Sequence, residues 1–143
     1  QENAERLAHD MVGNLNHGMC AFYDWNILLN SQGGPNHTNN FCDAPYLYDE
    51  ESGILEERRC LRYYWHFAHF IRPGALRLAT TKYTDGLDFT AWKNPDGTVV
   101  FILLNRADEE KECNLRIAGE LFHWKAAPHS ISSTAILRGE ETA

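Results

Sequence analysis

LDFTAWKNPDGTVVFILLN, residues 87–105, decides the fold. Leu87, Phe89 and Ala91 alternate with Asp88, Thr90 and Trp92, the period-two signature of a strand with two unlike faces. Asn94-Pro95-Asp96-Gly97 follows as a hairpin turn, because proline presets φ and glycine accepts positive φ. The run VVFILL after the turn is apolar throughout and predicts a central strand covered on both faces.

The same texture extends to both sides. In LRLATT, Leu76 and Leu78 alternate with Arg77 and Ala79. Cys113, Leu115 and Ile117 alternate further on, and two more strands fit 121–126 and 131–138. Short strands at this spacing predict an antiparallel sandwich over residues 73–143, with the tail 139–143 expected to fray. Upstream the pattern differs. Ala4, Leu7, Ala8, Met11, Val12 and Leu15 repeat at helical spacing, and Gly18 suits the stop. GMCAFYDW, residues 18–25, then predicts a strand buried on both faces. Residues 30–45 form a long Gly/Pro/Asn loop of the kind that usually carries function. Residues 46–48 suit a short extended piece, and 49–53 a turn. RRCLRYYWHFAHFI, residues 58–71, predicts an aromatic helix stopped by Pro73-Gly74. Residues 1–72 therefore read as the end of an α/β domain and 73–143 as most of a sandwich.

Composition narrows the function. The 143 residues carry 13 basic and 20 acidic side chains, a net charge of −7. Such a surface repels phosphate backbones, which speaks against nucleic acid and anionic membranes as partners. No apolar run approaches the ~20 residues of a membrane helix, and the length is short of the ~250 residues of a complete (β/α)8 barrel. Cys20, Cys42, Cys60 and Cys113 include no CxxC pair, which disfavours structural zinc. Their even number leaves disulfides open; the apolar surroundings of Cys20, Cys42 and Cys113 suggest small buried hydrophobes. Arg58, Arg59 and Arg62, beside Glu56 and Glu57, read as a solvated charged turn. His66 and His69 lie three apart on a helix but lack an evident third ligand, so they read as core or cap. No metal or other cofactor is called for.

DWNILLNSQGGPNHTNNFCDAP, residues 24–45, resembles the C-terminal part of family 30 glycoside hydrolases, the glucosylceramidase family, with its D-W-N, G-G-P-N and N-F-x-D-x-P in that order. HFAHFIRPG resembles the family's H-F-x-x-F-I-x-x-G helix end, with Pro73 one position later than in some members. NPDGTVVFILLNR and PHSISSTAI resemble its hairpin and last sandwich strand. The resemblance implies an α+β chain: mainly an antiparallel β-sandwich, with residues 1–72 an N-terminal remnant, the last α/β units, of a TIM barrel. It also implies that residues 18–25 are the eighth barrel strand. Family members are retaining enzymes on β-linked sugars, glucosylceramide among them. Their two catalytic glutamates would precede Gln1, so no catalytic residue is expected in this chain. Members are lysosomal in animals and often exported in bacteria.

Retaining hydrolysis needs two carboxyl groups roughly 5–5.5 Å apart. Asp24 and Asp43 match family aspartates outside that pair, and read instead as carboxylates that accept backbone N–H bonds. The substrate-binding candidates are Trp25, Asn40 and Phe41. An indole offers a flat face to sugar C–H groups and an N–H to a hydroxyl, and an amide both donates and accepts. The matching family tryptophan lines the glucose pocket, and the matching asparagine contacts the sugar. Core or loop roles stand beside these: Trp25 could plug the barrel, Asn40 could satisfy its own loop, and Phe41 could pack beneath it. Asn26, Asn36 and His37 are weaker candidates, and Asn36-His37-Thr38 is also an N-x-T pattern. The stripe Tyr63, Tyr64, Trp65, Phe67 and Phe70 reads as a face packed on the barrel.

Three functions follow for comparison. The first is the C-terminal part of a β-glycosidase acting on a β-linked glucoside or glycolipid. The second is a carbohydrate-binding sandwich using Trp92 and Trp124, which exposure of these residues favours and burial weakens. The third is an interaction piece whose uncovered barrel strand is capped by the rest of the barrel or by self-association.

Overall fold

The structure, a computed structural model, describes residues 2–117 and 119–137. The predicted tail 139–143 lies outside the described residues. Helix α1 spans Glu2–Asn16, with Glu2 and Glu5 near its positive N-terminal end. Ala4, Ala8, Met11 and Val12 form its buried stripe. Gly18 follows at φ +99°, the left-handed conformation that halts a helix.

A small sheet follows: β1 (Leu28–Asn30), β2 (Tyr46–Asp49) and β3 (Ile54–Glu57). β1 runs parallel to β2, with Leu28 opposite Tyr46, and β3 returns antiparallel. Residues 18–25 do not form the predicted strand. That segment joins no ladder among the described residues, and Phe22, Tyr23 and Trp25 are exposed. A strand is stable only beside a partner that takes its N–H and C=O groups, and among the described residues no strand pairs with this segment. Cys20 and Cys42, expected to be buried, are exposed for the related reason that their apolar neighbours have no layer over them. Cys113 is half-buried, and all four thiols are free.

Helix α2 spans Arg59–Phe70. Its last turn is held by the sandwich: Asn94 Nδ2 donates to Phe70 O at 2.9 Å, and Arg72 N donates to Asn94 Oδ1 at 3.0 Å. The asparagine of the hairpin thus satisfies both an orphan carbonyl and the exit amide of a distant helix.

The sandwich is built from β4 (Leu76–Arg77), β5 (Asp88–Lys93), β6 (Val99–Asn105), β7 (Lys111–Ile117), β8 (Glu120–Ala126) and β9 (Ser130–Ile136). One sheet has the order β4-β5-β6-β9, antiparallel throughout, and β7-β8 forms a hairpin across it. Of LRLATT only Leu76 and Arg77 form β4, with Leu78 N adding one bond to Ala91 O at 2.8 Å, so the strand is shorter than expected. All seven residues of β6 are buried, as a central strand demands.

Alternation along β6 divides the core. Val100, Ile102 and Leu104 face α1 and α2, joining Ala8, Met11, Tyr63, Phe67 and Trp92. Phe101, Leu103 and Val99 face the hairpin, meeting Cys113, Leu115, Ile117 and Trp124. The aromatic stripe of α2 therefore divides. Tyr63 and Phe67 pack on the sandwich and on α1, and Trp65 is exposed. Trp92 is buried and Trp124 partly so, which weakens a sugar-binding face on the sandwich strands. Asn105, fully buried, closes the end of β6. Its Nδ2 donates to the carbonyls of Glu109, Ala126 and Ala127, and its Oδ1 accepts from Ala107 N.

Candidate functional site

Parallel, in-register pairing of β1 and β2 brings residues 27 and 45, which lead into the two strands, to one end of the small sheet. Tyr46 N donates to Ile27 O at 3.1 Å and fixes that end. Trp25 is 89% exposed and Phe41 58%, and Tyr23, Ile27 and Leu28, near Trp25 in sequence, are also exposed. Asn40 is exposed as well. Among the described residues no hydrogen bond or ring contact joins Trp25, Asn40 and Phe41 to one another.

The loop is held by its own polar groups. Asn30 Oδ1 accepts from Gln32 N and Gly34 N at 3.2 and 2.8 Å. Cys42 N donates to Gly33 O at 3.0 Å, closing the loop across its neck. Gly33 has φ +83°, and a Cβ there would lie 2.4 Å from Cys42 O. Gly33→Ala is expected to cost about 1–3 kcal/mol from strain at this backbone conformation, with the steric conflict added. Gly53→Ala shares the positive φ but meets nothing within 4 Å. A larger drop in urea midpoint for the first variant than for the second checks the neck contact.

Asn36, a weak candidate by sequence, performs the structural task considered for Asn40. Its Oδ1 accepts from Thr38 N at 3.3 Å and from Asn40 N at 3.1 Å. The Asn40 side-chain amide and the Trp25 indole N–H make no hydrogen bond among the described residues. Both keep their polar capacity for a ligand.

The two aspartates, though exposed, hold the chain in position. Asp24 Oδ1 accepts from Trp25 N at 2.7 Å, and its Oδ2 accepts the hydroxyl of Tyr64. Burial, then the bond to Asp24, pushes the Tyr64 phenol above its ordinary range, so it stays a donor. Phe22 adds a ring contact with Tyr64 at 5.8 Å. Tyr64 thus anchors the Trp25 segment to α2. It lay within the predicted aromatic stripe, but nothing at a separation of 40 residues announced its partner. Asp43 Oδ1 accepts from Ala44 N at 3.0 Å and pairs with Arg58 Nε at 3.4 Å. Arg58 also donates to Glu56, so it serves the loop as well as the charged turn expected of it.

His66 and His69 do not converge on a common point. His66 Nδ1 lies 2.8 Å from Ser133 Oγ, and burial holds its pKa below the ordinary value. His69 stacks on Trp65. Among the described residues no three His, Cys, Asp or Glu side chains cluster as a metal site. No described helix is long and apolar enough to cross a membrane.

Comparison with known proteins converges on one family. The model of the glycosyl hydrolase family 30 TIM-barrel domain matches residues 1–71, and that of the family's beta sandwich domain matches residues 74–134. The chain belongs to glycosyl hydrolase family 30. Its fold is that family's C-terminal sandwich with a small portion of the barrel. Lysosomal acid glucosylceramidase of Mus musculus is 34% identical over 107 residues, covering 73% of this chain and 21% of that protein. Putative glucosylceramidase 1 of Caenorhabditis elegans is 31% identical over 107 residues, covering 73% and 20%. The chain therefore spans about a fifth of the curated relatives it matches. Among solved structures, SrfJ from Salmonella typhimurium superposes with a TM-score of 0.89 at 35% identity, covering 96% of this chain and 31% of that one. The endo-beta1,6-glucanase BT3312 gives 0.78 at 26% identity, covering 91% and 31%.

Proposed function

We propose that this family 30 segment closes the sugar pocket of a retaining β-glycosidase acting on a β-linked glucoside or glycolipid. In this reading residues 1–72 are the end of the barrel and residues 73–143 the sandwich that braces it. Trp25 presents its indole to the sugar's C–H face, Asn40 binds hydroxyls, and Phe41 walls the pocket. The acid/base and nucleophile carboxylates come from barrel strands outside this sequence.

The observation that supports this reading is the unspent capacity of Trp25 and Asn40. Both are exposed, and among the described residues neither the indole N–H nor the side-chain amide makes a hydrogen bond. Asp24 and Asp43 are occupied by backbone amides, Tyr64 and Arg58, which suits positioning rather than proton transfer. The exposed apolar row from Phe22 to Leu28 suits burial against further barrel staves, since aromatic patches of this kind mark contact surfaces.

The test is turnover of an aryl β-glucoside by the 143-residue chain. No hydrolysis above background is expected. Turnover that survives Asp24→Asn and Asp43→Asn would show that this chain holds its own catalytic pair elsewhere, against the roles assigned here.

A further inference from the structure

His129 sits where four parts of the molecule meet. Its Nδ1 lies 3.1 Å from Oε2 of Glu5 on α1. Its Nε2 lies 2.8 Å from Oδ1 of Asp108 in the turn after β6. Its carbonyl accepts the hydroxyl of Tyr63 on α2 at 3.4 Å, and its amide donates to Ala107 O at 3.2 Å. The backbone adopts φ +49°, an uncommon conformation outside glycine in which histidine is among the enriched residues.

A neutral imidazole has one N–H and one lone pair. An ionised carboxylate only accepts. With a carboxylate at each ring nitrogen, both contacts are attractive only when both nitrogens carry protons. A neutral ring turns a lone pair toward one of the two carboxylates. Glu5 makes this costly, because its side chain is 8% exposed and water replaces the missing cation poorly. Asp108, fully exposed, is readily rehydrated.

We propose that His129 is a pH-sensitive clamp that fastens α1 to the sandwich in acid and loosens as the solution becomes alkaline. The surrounding charges are consistent with that role. One turn along α1, His9 Nδ1 meets Asp88 Oδ2 at 2.8 Å, and Arg106 Nε also contacts Asp88 at 3.1 Å. On α2, Tyr63 stays protonated, since burial and then Glu5 raise its pKa against the opposing pull of Arg59. The bonds to Asp108 and then Glu5 raise the His129 pKa above its ordinary value. A raised histidine pKa stabilises the fold fully below the unfolded value of about 6.5 and ceases to do so as pH rises through the folded value. This clamp is independent of the sugar-pocket reading and uses none of its residues.

Proton NMR titration of the histidine rings in the 143-residue chain tests it, with His129→Asn assigning the resonance. Asparagine tolerates positive φ and cannot carry the charge. The ring is expected to titrate above about 6.5, and Asp108→Asn, at a fully exposed position, to lower that midpoint by roughly 0.5 unit or more. The melting temperature of the natural chain should exceed that of His129→Asn at pH 5 and converge with it by pH 8. A ring midpoint at or below the ordinary value, or a stability gap unchanged across that range, would overturn the clamp. If His129→Asn does not fold, the Asp108→Asn titration and melting profile decide the matter alone.

Discussion

Leu104→Ala is expected to destabilise the chain by about 2–5 kcal/mol, the range for removing a fully buried leucine side chain. Leu104 is 0% exposed and lies on the helix side of β6. It pairs with Asp88 and Ile131 across its sheet and shares a core cluster with Met11, Val12, Tyr63 and Phe67. The lost methyl groups therefore leave a gap between the helices and the sheet. Neither side collapses freely, because β6 is pinned on both edges and Asn94 holds α2 at its end. Thermal unfolding followed by circular dichroism should show the midpoint lower by roughly 5–20 °C, since each kcal/mol is worth about 2–4 °C in a chain approaching this size. Helical and aromatic signals should fall in one transition, because both layers depend on this cluster. A separate early loss of helix would mean that the helices and the sandwich do not share a core.

Trp25→Ala is the second change with a large expected effect, in an enzyme that carries this segment within an intact barrel. An indole laid against a sugar face contributes on the scale of a buried large side chain, about 1.5–3 kcal/mol. That corresponds to a loss of roughly 10- to 100-fold in kcat/KM for a β-glucoside. Stability should change little, because the indole is 89% exposed in this chain and makes no ring contact among the described residues. Asn36→Ala differs in kind. It removes the acceptor for Thr38 N and Asn40 N, so it acts through the loop.

Much of the fold was legible wherever a pattern ran longer than a turn. The helical stripe of α1, the aromatic α2, the Asn94–Gly97 hairpin and the uniformly apolar β6 each declare themselves over six or more residues or through a strong turn signal. β1 and β3 were not legible. Leu28–Asn30 is too short to show a period, and Ile54–Glu57 has its apolar pair adjacent rather than alternating. Both owe their existence to β2, a partner supplied by the chain beyond them or before them. Residues 18–25 show the converse error. Their composition is that of a buried strand, yet strand formation belongs to the ladder and not to the segment. The exposed state of Cys20 and Cys42 has the same origin.

Legibility of the site was uneven in the same way. The candidates at 25, 40 and 41 rest on residue type, because an indole, an amide and a phenyl ring have definite uses against a sugar, and their place in a sugar pocket is the proposal made above. The supports were not. Tyr64 holds Asp24 from 40 positions away, and Asn36 takes over the loop work that Asn40 was a candidate for. Asn94 reads as a turn residue, and its second task as a cap on α2 follows only from how the sandwich meets the helix.

A crystal structure of an enzyme carrying this segment in a complete barrel, bound to a glucose-configured iminosugar, puts the pocket assignment to its hardest trial. The indole of Trp25 should lie against the sugar ring at van der Waals distance, about 3.5–4 Å, with the Asn40 amide in hydrogen-bond reach of a hydroxyl. A sugar bound with Trp25 turned into a side-chain cluster and Asn40 facing away would contradict it.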